Sequence, residues 1–222
     1  MDLDTRASRF AALGDSRRLA IVDCLASSDR SVAELAEISG MRGNLLAHHL
    51  DLLESAGLIS RRTSEGDGRR RYVTLRWDRL PSGLHQPARH IRNVAFVCTH
   101  NSARSQFAAA LWESTTGIEA SSAGSQPAAE VHPKAVKVAS EHGVDISGRR
   151  PSAYSSLGPS PDLIVSVCDR AFEAGAPPGK AHTHWSVPDP VSAGTIDAFR
   201  LAFDDIESRV HHLAEQTQPP TI

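Results

Sequence analysis

Apolar positions in the first eighty residues recur at helical spacing, and after a polar break they recur at the spacing of strands. Phe10 and Leu13, then Leu19, Val22 and Leu25, then Leu35 and Ile38, then Leu46, Leu50 and Leu53 each mark one face of a helix. The breaks between them carry capping chemistry. Asp15 or Ser16 can cap the second helix, Ser31-Val32-Ala33-Glu34 has the form of a capping box, and Gly40 closes the third helix in a tight turn. The next helix runs from Arg42 to Ala56 and stops at Gly57. Two strands follow, Leu58 to Arg62 and Arg69 to Leu75, around Glu65-Gly66-Asp67-Gly68, where Asp-Gly favours a hairpin turn.

That order is mainly α and reads as a winged helix-turn-helix, with the helix from Arg42 as its recognition helix. Leu80 to His90 is rich in Pro, Gly and polar residues and reads as a linker. Beyond it the pattern alternates strand and helix. A wholly apolar strand ends at Cys98 and leads into a helix reaching Thr116. A strand over Ile118 to Ser122 and a helix from Pro133 to His142 come next, the latter stopped by Gly143. A second apolar strand, Asp162 to Val167, ends on Cys168, and a strand from Thr183 to Val187 precedes a long helix carrying Ile196, Phe199, Phe203, Ile206, Val210 and Leu213. Wholly apolar strands alternating with helices imply an α/β domain with a parallel four-stranded sheet covered on both faces. The expected organisation is residues 1–80 as the helical domain, 81–91 as linker and 92–222 as the α/β domain.

Charge changes the picture in one place. The net charge is −2, but between Arg61 and Arg79 seven arginines face only Glu65, Asp67 and Asp78. A basic hairpin beside a recognition helix is the electrostatic form of a groove binder, so DNA is an expected partner. The three cysteines, Cys24, Cys98 and Cys168, are too few and too dispersed for a disulfide framework. No stretch approaches the ~20 apolar residues that span a bilayer. A reducing cytoplasm without membrane association is expected. His48-His49, His182 with His184, and His211-His212 lack third and fourth ligands at metal spacing, so no metal site is assigned.

The chemistry concentrates in Val97-Cys98-Thr99-His100-Asn101-Ser102-Ala103-Arg104-Ser105. A buried strand running through a short polar loop into a helix points loop amides and the helix N-terminus at one spot, and Arg104 can add a bidentate fork. Thr99, His100, Asn101, Ser102, Ala103, Arg104 and Ser105 are therefore the expected oxyanion cradle. The same positive field is expected to favour the Cys98 thiolate. Asn101 suits a left-handed backbone position, and the hydroxyls of Ser102 and Ser105 can hold loop amides or the sulfur.

Two resemblances follow from these motifs. Ala12-Leu13-Gly14-Asp15-Ser16-Arg17-Arg18-Leu19 and His48-His49-Leu50 through Ala56-Gly57-Leu58-Ile59 resemble the ArsR family of metalloregulatory repressors. The resemblance implies a homodimer reading DNA with Arg42, Asn44 and His48 from the helix and Arg69, Arg70 and Arg71 from the wing. The family's paired-cysteine sensor has no counterpart in Ser31 to Glu37. Residues 92–215 resemble the low-molecular-weight tyrosine phosphatase fold and the arsenate reductases that share its loop. The matching pieces are the cysteine loop, Ser122-Ala123-Gly124, His132-Pro133-Lys134-Ala135, Asp145-Ile146-Ser147 and His184-Trp185-Ser186-Val187-Pro188-Asp189-Pro190. This likeness implies Cys98 as nucleophile, Arg104 as oxyanion clamp and Asp189 as the acid on the leaving oxygen.

Val191 and Ser192 follow Asp189-Pro190, where phosphatases of the fold place tyrosines, so a small tetrahedral anion such as arsenate or phosphate fits better than phosphotyrosine. Cys168 is the expected second thiol. No bound cofactor is implied, only an external thiol reductant: thioredoxin, or a glutaredoxin- or mycoredoxin-type protein with glutathione or mycothiol. A tyrosine phosphatase, and a non-turnover oxyanion sensor controlling the repressor, are the alternative readings.

Overall fold

The computed structural model describes residues 2–80, 90–158 and 160–217. The chain divides into two compact units. In the first, α1 (Leu3–Leu13), α2 (Ser16–Ser27), the short strand β1 (Arg30–Ser31), α3 (Val32–Ser39) and α4 (Gly43–Ser55) precede a hairpin of β2 (Ile59–Thr63) and β3 (Arg71–Leu75). The caps are those the residues suggest. Asp15 accepts from the amides of Arg17 and Arg18, Ser31 and Glu34 close a capping box, and Gly40 ends α3 in the left-handed region at φ 63°. Leu46, Leu50 and Leu53 of α4 pack inward against Ile21, Val22, Leu25, Leu35, Val73 and Leu75.

β1 has no hydrophobic pattern to announce it. It pairs antiparallel with β3, which becomes the centre of a three-stranded sheet in the order β1-β3-β2. The hairpin strands begin one and two residues later than the sequence suggests.

In the second unit, β4 (Val94–Cys98), α5 (Arg104–Thr116), β5 (Ala120–Gly124), α6 (Pro133–Glu141), β6 (Leu163–Ser166), α7 (Asp169–Glu173), β7 (His182–His184), α8 (Pro190–Ala193) and α9 (Ile196–Glu215) build a four-stranded parallel sheet in the order β5-β4-β6-β7. All five β4 residues are buried, which suits a central strand of a sheet covered on both faces. Side chains alternate across it. Val94, Phe96 and Cys98 face the large core with Phe107, Trp112, Phe199 and Phe203 from α5 and α9. Ala95 and Val97 face a smaller cluster with Ala123 and Ile164, covered by Tyr154, Leu157 and Ala176 rather than by a helix.

Several expectations need correction. The linker falls mostly outside the described residues, and its last position, Ile91, is only 3 % exposed within the second unit's core. Cys168 does not end a strand: β6 stops at Ser166, and Cys168 is the N-cap of α7, its sulfur accepting from the amide of Ala171 at 3.3 Å. β5 lies two residues later than its β-branched start suggested, because Gly124 is needed opposite Cys98. A Cβ on Gly124 would sit 2.6 Å from the carbonyl oxygen of Thr99, so only glycine lets the cysteine loop fold down there. β7 spans three residues, after which the chain leaves the sheet toward Asp189.

His49, on α4, is 4 % exposed, and neither ring nitrogen has a hydrogen-bond partner among the described residues. Burial pushes its pKa below the ordinary histidine range, with Asp15 pulling the other way. Below about pH 6.5 the unfolded chain therefore binds a proton that the folded helix resists, and stability is lost as pH falls. Hydrogen-exchange protection of α4, corrected for intrinsic rates, should drop between pH 7.5 and 5.5. His49→Leu should flatten that dependence, and an unchanged slope in the variant would show that His49 is not its source.

Candidate oxyanion site

The site is built where β4 meets α5. Asn101 adopts φ 49°, a left-handed conformation that costs a non-glycine residue and that asparagine tolerates best. Its side chain is locked from three sides. Asn101 Nδ2 donates to Ser105 Oγ at 2.8 Å, and its Oδ1 accepts from Gln106 Nε2 at 3.1 Å and from the Ser152 amide at 2.8 Å. Held this way, the Asn101 amide points at Cys98 Sγ from 3.1 Å, and Ser105 Oγ reaches the same sulfur at 3.0 Å. Helix α5 starts at Arg104 with no side-chain cap, which leaves its first amides directed at the loop.

Arg104 is 6 % exposed. It donates to the carbonyl of Val187 at 2.8 Å and pairs with Asp189 at 3.2 Å. Asp189 has a second role that its Pro-Asp-Pro setting hid, as N-cap of α8: it accepts from the Val191 amide and from Ser192 Oγ, the latter at 2.8 Å. Cys168 Sγ lies 3.2 Å from the hydroxyl of Thr99. The fold thus brings Cys98, Arg104, Asp189 and Cys168 to one end of the sheet. Asn101, Ser102, Ala103 and Ser105 are buried in the loop, Thr99 is half-buried and His100 is exposed. Gln106, Ser152 and Tyr154 escaped the sequence reading; Tyr154, whose hydroxyl lies 3.5 Å from the Cys98 carbonyl, is an isolated aromatic with no pattern around it.

The electrostatics differ from expectation. Cys98 is fully enclosed, and burial pushes its thiol pKa up, while Arg104 and the Ser105 hydrogen bonds pull it down. The loop alone does not make an exposed thiolate; the cation beside it limits the cost of burial.

In the first unit, Arg42, Asn44 and His48 are exposed on the N-terminal half of α4. Arg69, Arg70 and Arg71 line a groove of about 630 Å³ with Ala47 and Leu50 of α4 and the start of α3. The wing arginines and the recognition helix therefore border one groove, while Arg42, Asn44 and His48 lie outside it. Among the described residues, His142, Asp204 and Glu207 bring ligand atoms within 4.8 Å of one another at the surface, and neither the His48-His49 nor the His211-His212 pair belongs to that group.

A family profile described as low molecular weight phosphotyrosine protein phosphatase matches residues 93–219, more than half of the chain. The chain belongs to this family. A second profile, bacterial regulatory protein of the arsR family, matches residues 15–61. The chain thus joins an ArsR-family helix-turn-helix to a phosphatase-family domain.

Curated relatives of the phosphatase-family domain include an arsenate reductase of Halalkalibacterium halodurans, 35% identical over 132 residues, and one of Bacillus subtilis, 33% identical over 132 residues. Each alignment covers 55% of this chain and 94% of the relative. A solved structure described as an arsenate reductase in oxidized state matches with 26% identity and a TM-score of 0.50, covering 56% of this chain and 98% of that one. No helix among the described residues is long and apolar enough to cross a membrane.

Two outcomes are expected. Removing the cation that offsets burial should move the pH profile of Cys98 alkylation by iodoacetamide to higher pH in Arg104→Gln, with Arg104→Lys between it and the wild type; coincident profiles would show that Arg104 does not act on the sulfur. Arg70→Ala should weaken binding to all DNA sequences alike and lower the salt slope by about one. Loss confined to one sequence would contradict a phosphate contact.

Proposed function

We propose that this chain is a thiol-dependent arsenate reductase joined to a dimeric DNA-binding regulator. The observation that carries the reading is a second sulfur at the loop: Cys168 Sγ stands 3.2 Å from the hydroxyl of the residue that follows Cys98. Hydrolysis of a phosphoester needs one sulfur and water, whereas reduction needs another thiol to take the adduct apart.

In the proposed reaction, the amides of residues 99–105 and the Arg104 fork hold arsenate while Cys98 sulfur attacks arsenic. Asp189 takes the Cys98 thiol proton and passes it to the oxygen that leaves as water. The Cys168 thiolate then attacks Cys98 sulfur. An S–S bond forms, the S–As bond breaks, and its electron pair stays on arsenic, which passes from As(V) to As(III) and departs as arsenite. Two thiols become one disulfide, and the external thiol reductant restores them.

The relatives named arsenate reductases support this reading. So does the segment after Asp189, where Val191 and Ser192 provide no aromatic wall for a phosphotyrosine ring. Tyrosine phosphatase activity would use the same Cys98, Arg104 and Asp189 without needing Cys168. For the regulator, the basic groove of the wing supports DNA as partner, and Leu3 and Phe10, 74 % and 57 % exposed on α1, support a homodimer through the first unit.

Cys168→Ser separates the readings. It should still hydrolyse an activated aryl phosphate slowly, while arsenite release in a single turnover falls ~100-fold with a protein disulfide reductase as donor and falls less with mycothiol or glutathione, which can attack the adduct themselves. Equal arsenite release by both proteins with every donor would reduce Cys168 to a core residue. Phosphotyrosine turnover without arsenite release would return the domain to the phosphatases.

A further inference from the structure

Behind Cys168 lies a buried polar group that the reaction above does not use. Asp169, the residue after Cys168 and the first of α7, is 1 % exposed, and His184 and Ser186, at the end of β7 and just beyond it, are 0 % and 1 % exposed. Ser186 Oγ donates to Asp169 Oδ1 at 2.6 Å, and His184 Nε2 faces the same oxygen at 3.1 Å. The other ring nitrogen, His184 Nδ1, lies 3.2 Å from the carbonyl oxygen of Ser166.

A carbonyl oxygen and a carboxylate both only accept, whereas neutral imidazole has one donor and one acceptor nitrogen. The two side chains must therefore share a further proton, as imidazolium on carboxylate or imidazole on carboxylic acid, and in either form both ring nitrogens are hydrogen-bonded. Phe172, also on α7, stacks on this ring with centroids 4.2 Å apart and planes inclined by 6°, which fixes the ring's orientation. Neither buried titratable side chain is then left without a hydrogen-bond partner, so the cost of burying either alone is avoided.

The short helix α7, five residues long and begun by the Cys168 sulfur itself, has little stability of its own. Asp169 and Phe172 are its ties to β7. We propose that the His184–Asp169 pair is the positioning element of Cys168, fixing the start of α7 so that this sulfur stays in line with Cys98 for disulfide formation. The proposal rests on the reading of Cys168 as the resolving thiol. Truncating His184 would remove one of the hydrogen bonds that hold the buried Asp169 side chain beside that thiol, and the start of α7 would shift or open.

Two measurements test it. In the wild type, ¹H–¹⁵N spectra of labelled histidine should show a His184 ring proton shielded from exchange with water within its bonds to Ser166 and Asp169; a ring proton exchanging at the solvent rate would overturn the pair. In His184→Gln, and in Asp169→Asn, which keeps the shape of its side chain, the formation of the Cys98–Cys168 disulfide in a single turnover should slow ~10-fold or more, with aryl phosphate hydrolysis losing far less. Equal loss in both reactions would make the pair a general fold element and overturn the proposal. If Cys168→Ser itself reduces arsenate like the wild type, the reading of Cys168 fails, and the histidine spectrum still decides whether His184 and Asp169 are bonded.

Discussion

The site depends on one strained residue. Asn101 is the only described non-glycine residue with positive φ, and the loop can point its amide at Cys98 only through that backbone turn. Such a conformation persists when its surroundings over-determine it. Here the Asn101 side chain is held by Ser105 and Gln106 of α5 and by the backbone of Ser152, three anchors from two separate segments. Gly124 contributes by having no side chain where the loop comes down on β5. Cradle, helix start and Arg104 follow from this arrangement, because α5 begins as soon as the turn is complete.

The enclosure that makes the cradle also opposes its chemistry. A buried sulfur resists ionisation, and Arg104 stands against that resistance while paired with Asp189. In the proposed reaction an incoming oxyanion would compete with Asp189 for the guanidinium, so one arginine would serve both the nucleophile and the anion. This competition would free the Asp189 carboxylate to take the Cys98 thiol proton and pass it to the leaving oxygen.

Much of this was legible in the sequence where a pattern or a spacing carries the information. The apolar run ending at Cys98, the capping box at Ser31, the spacing of Arg104 and the long α9 stripe each encode their element locally. What escaped has no local signal. β1 is two residues paired only because β3 is there, and α7 is a single turn whose cap is a cysteine, a residue not expected to cap. Tyr154 and Ser152 reach the loop from a segment without periodicity. The upward push on the Cys98 thiol is a property of enclosure by residues distant in the chain, which spacing alone does not reveal. His184 read as one member of an alternating strand pair, and only the tertiary contacts with Ser166 and Asp169 give it a role.

In the proposed function Cys98 and Cys168 act as one redox pair on an oxyanion held by the Asn101 turn and Arg104. Its most direct measurement is peptide mass analysis of the reduced, full-length protein after one equivalent of arsenate in the absence of any donor. A Cys98–Cys168 disulfide is expected, formed in step with one equivalent of arsenite, and none when phosphate replaces arsenate. Arsenite released while both cysteines remain thiols, or a disulfide that forms equally with phosphate, would contradict it.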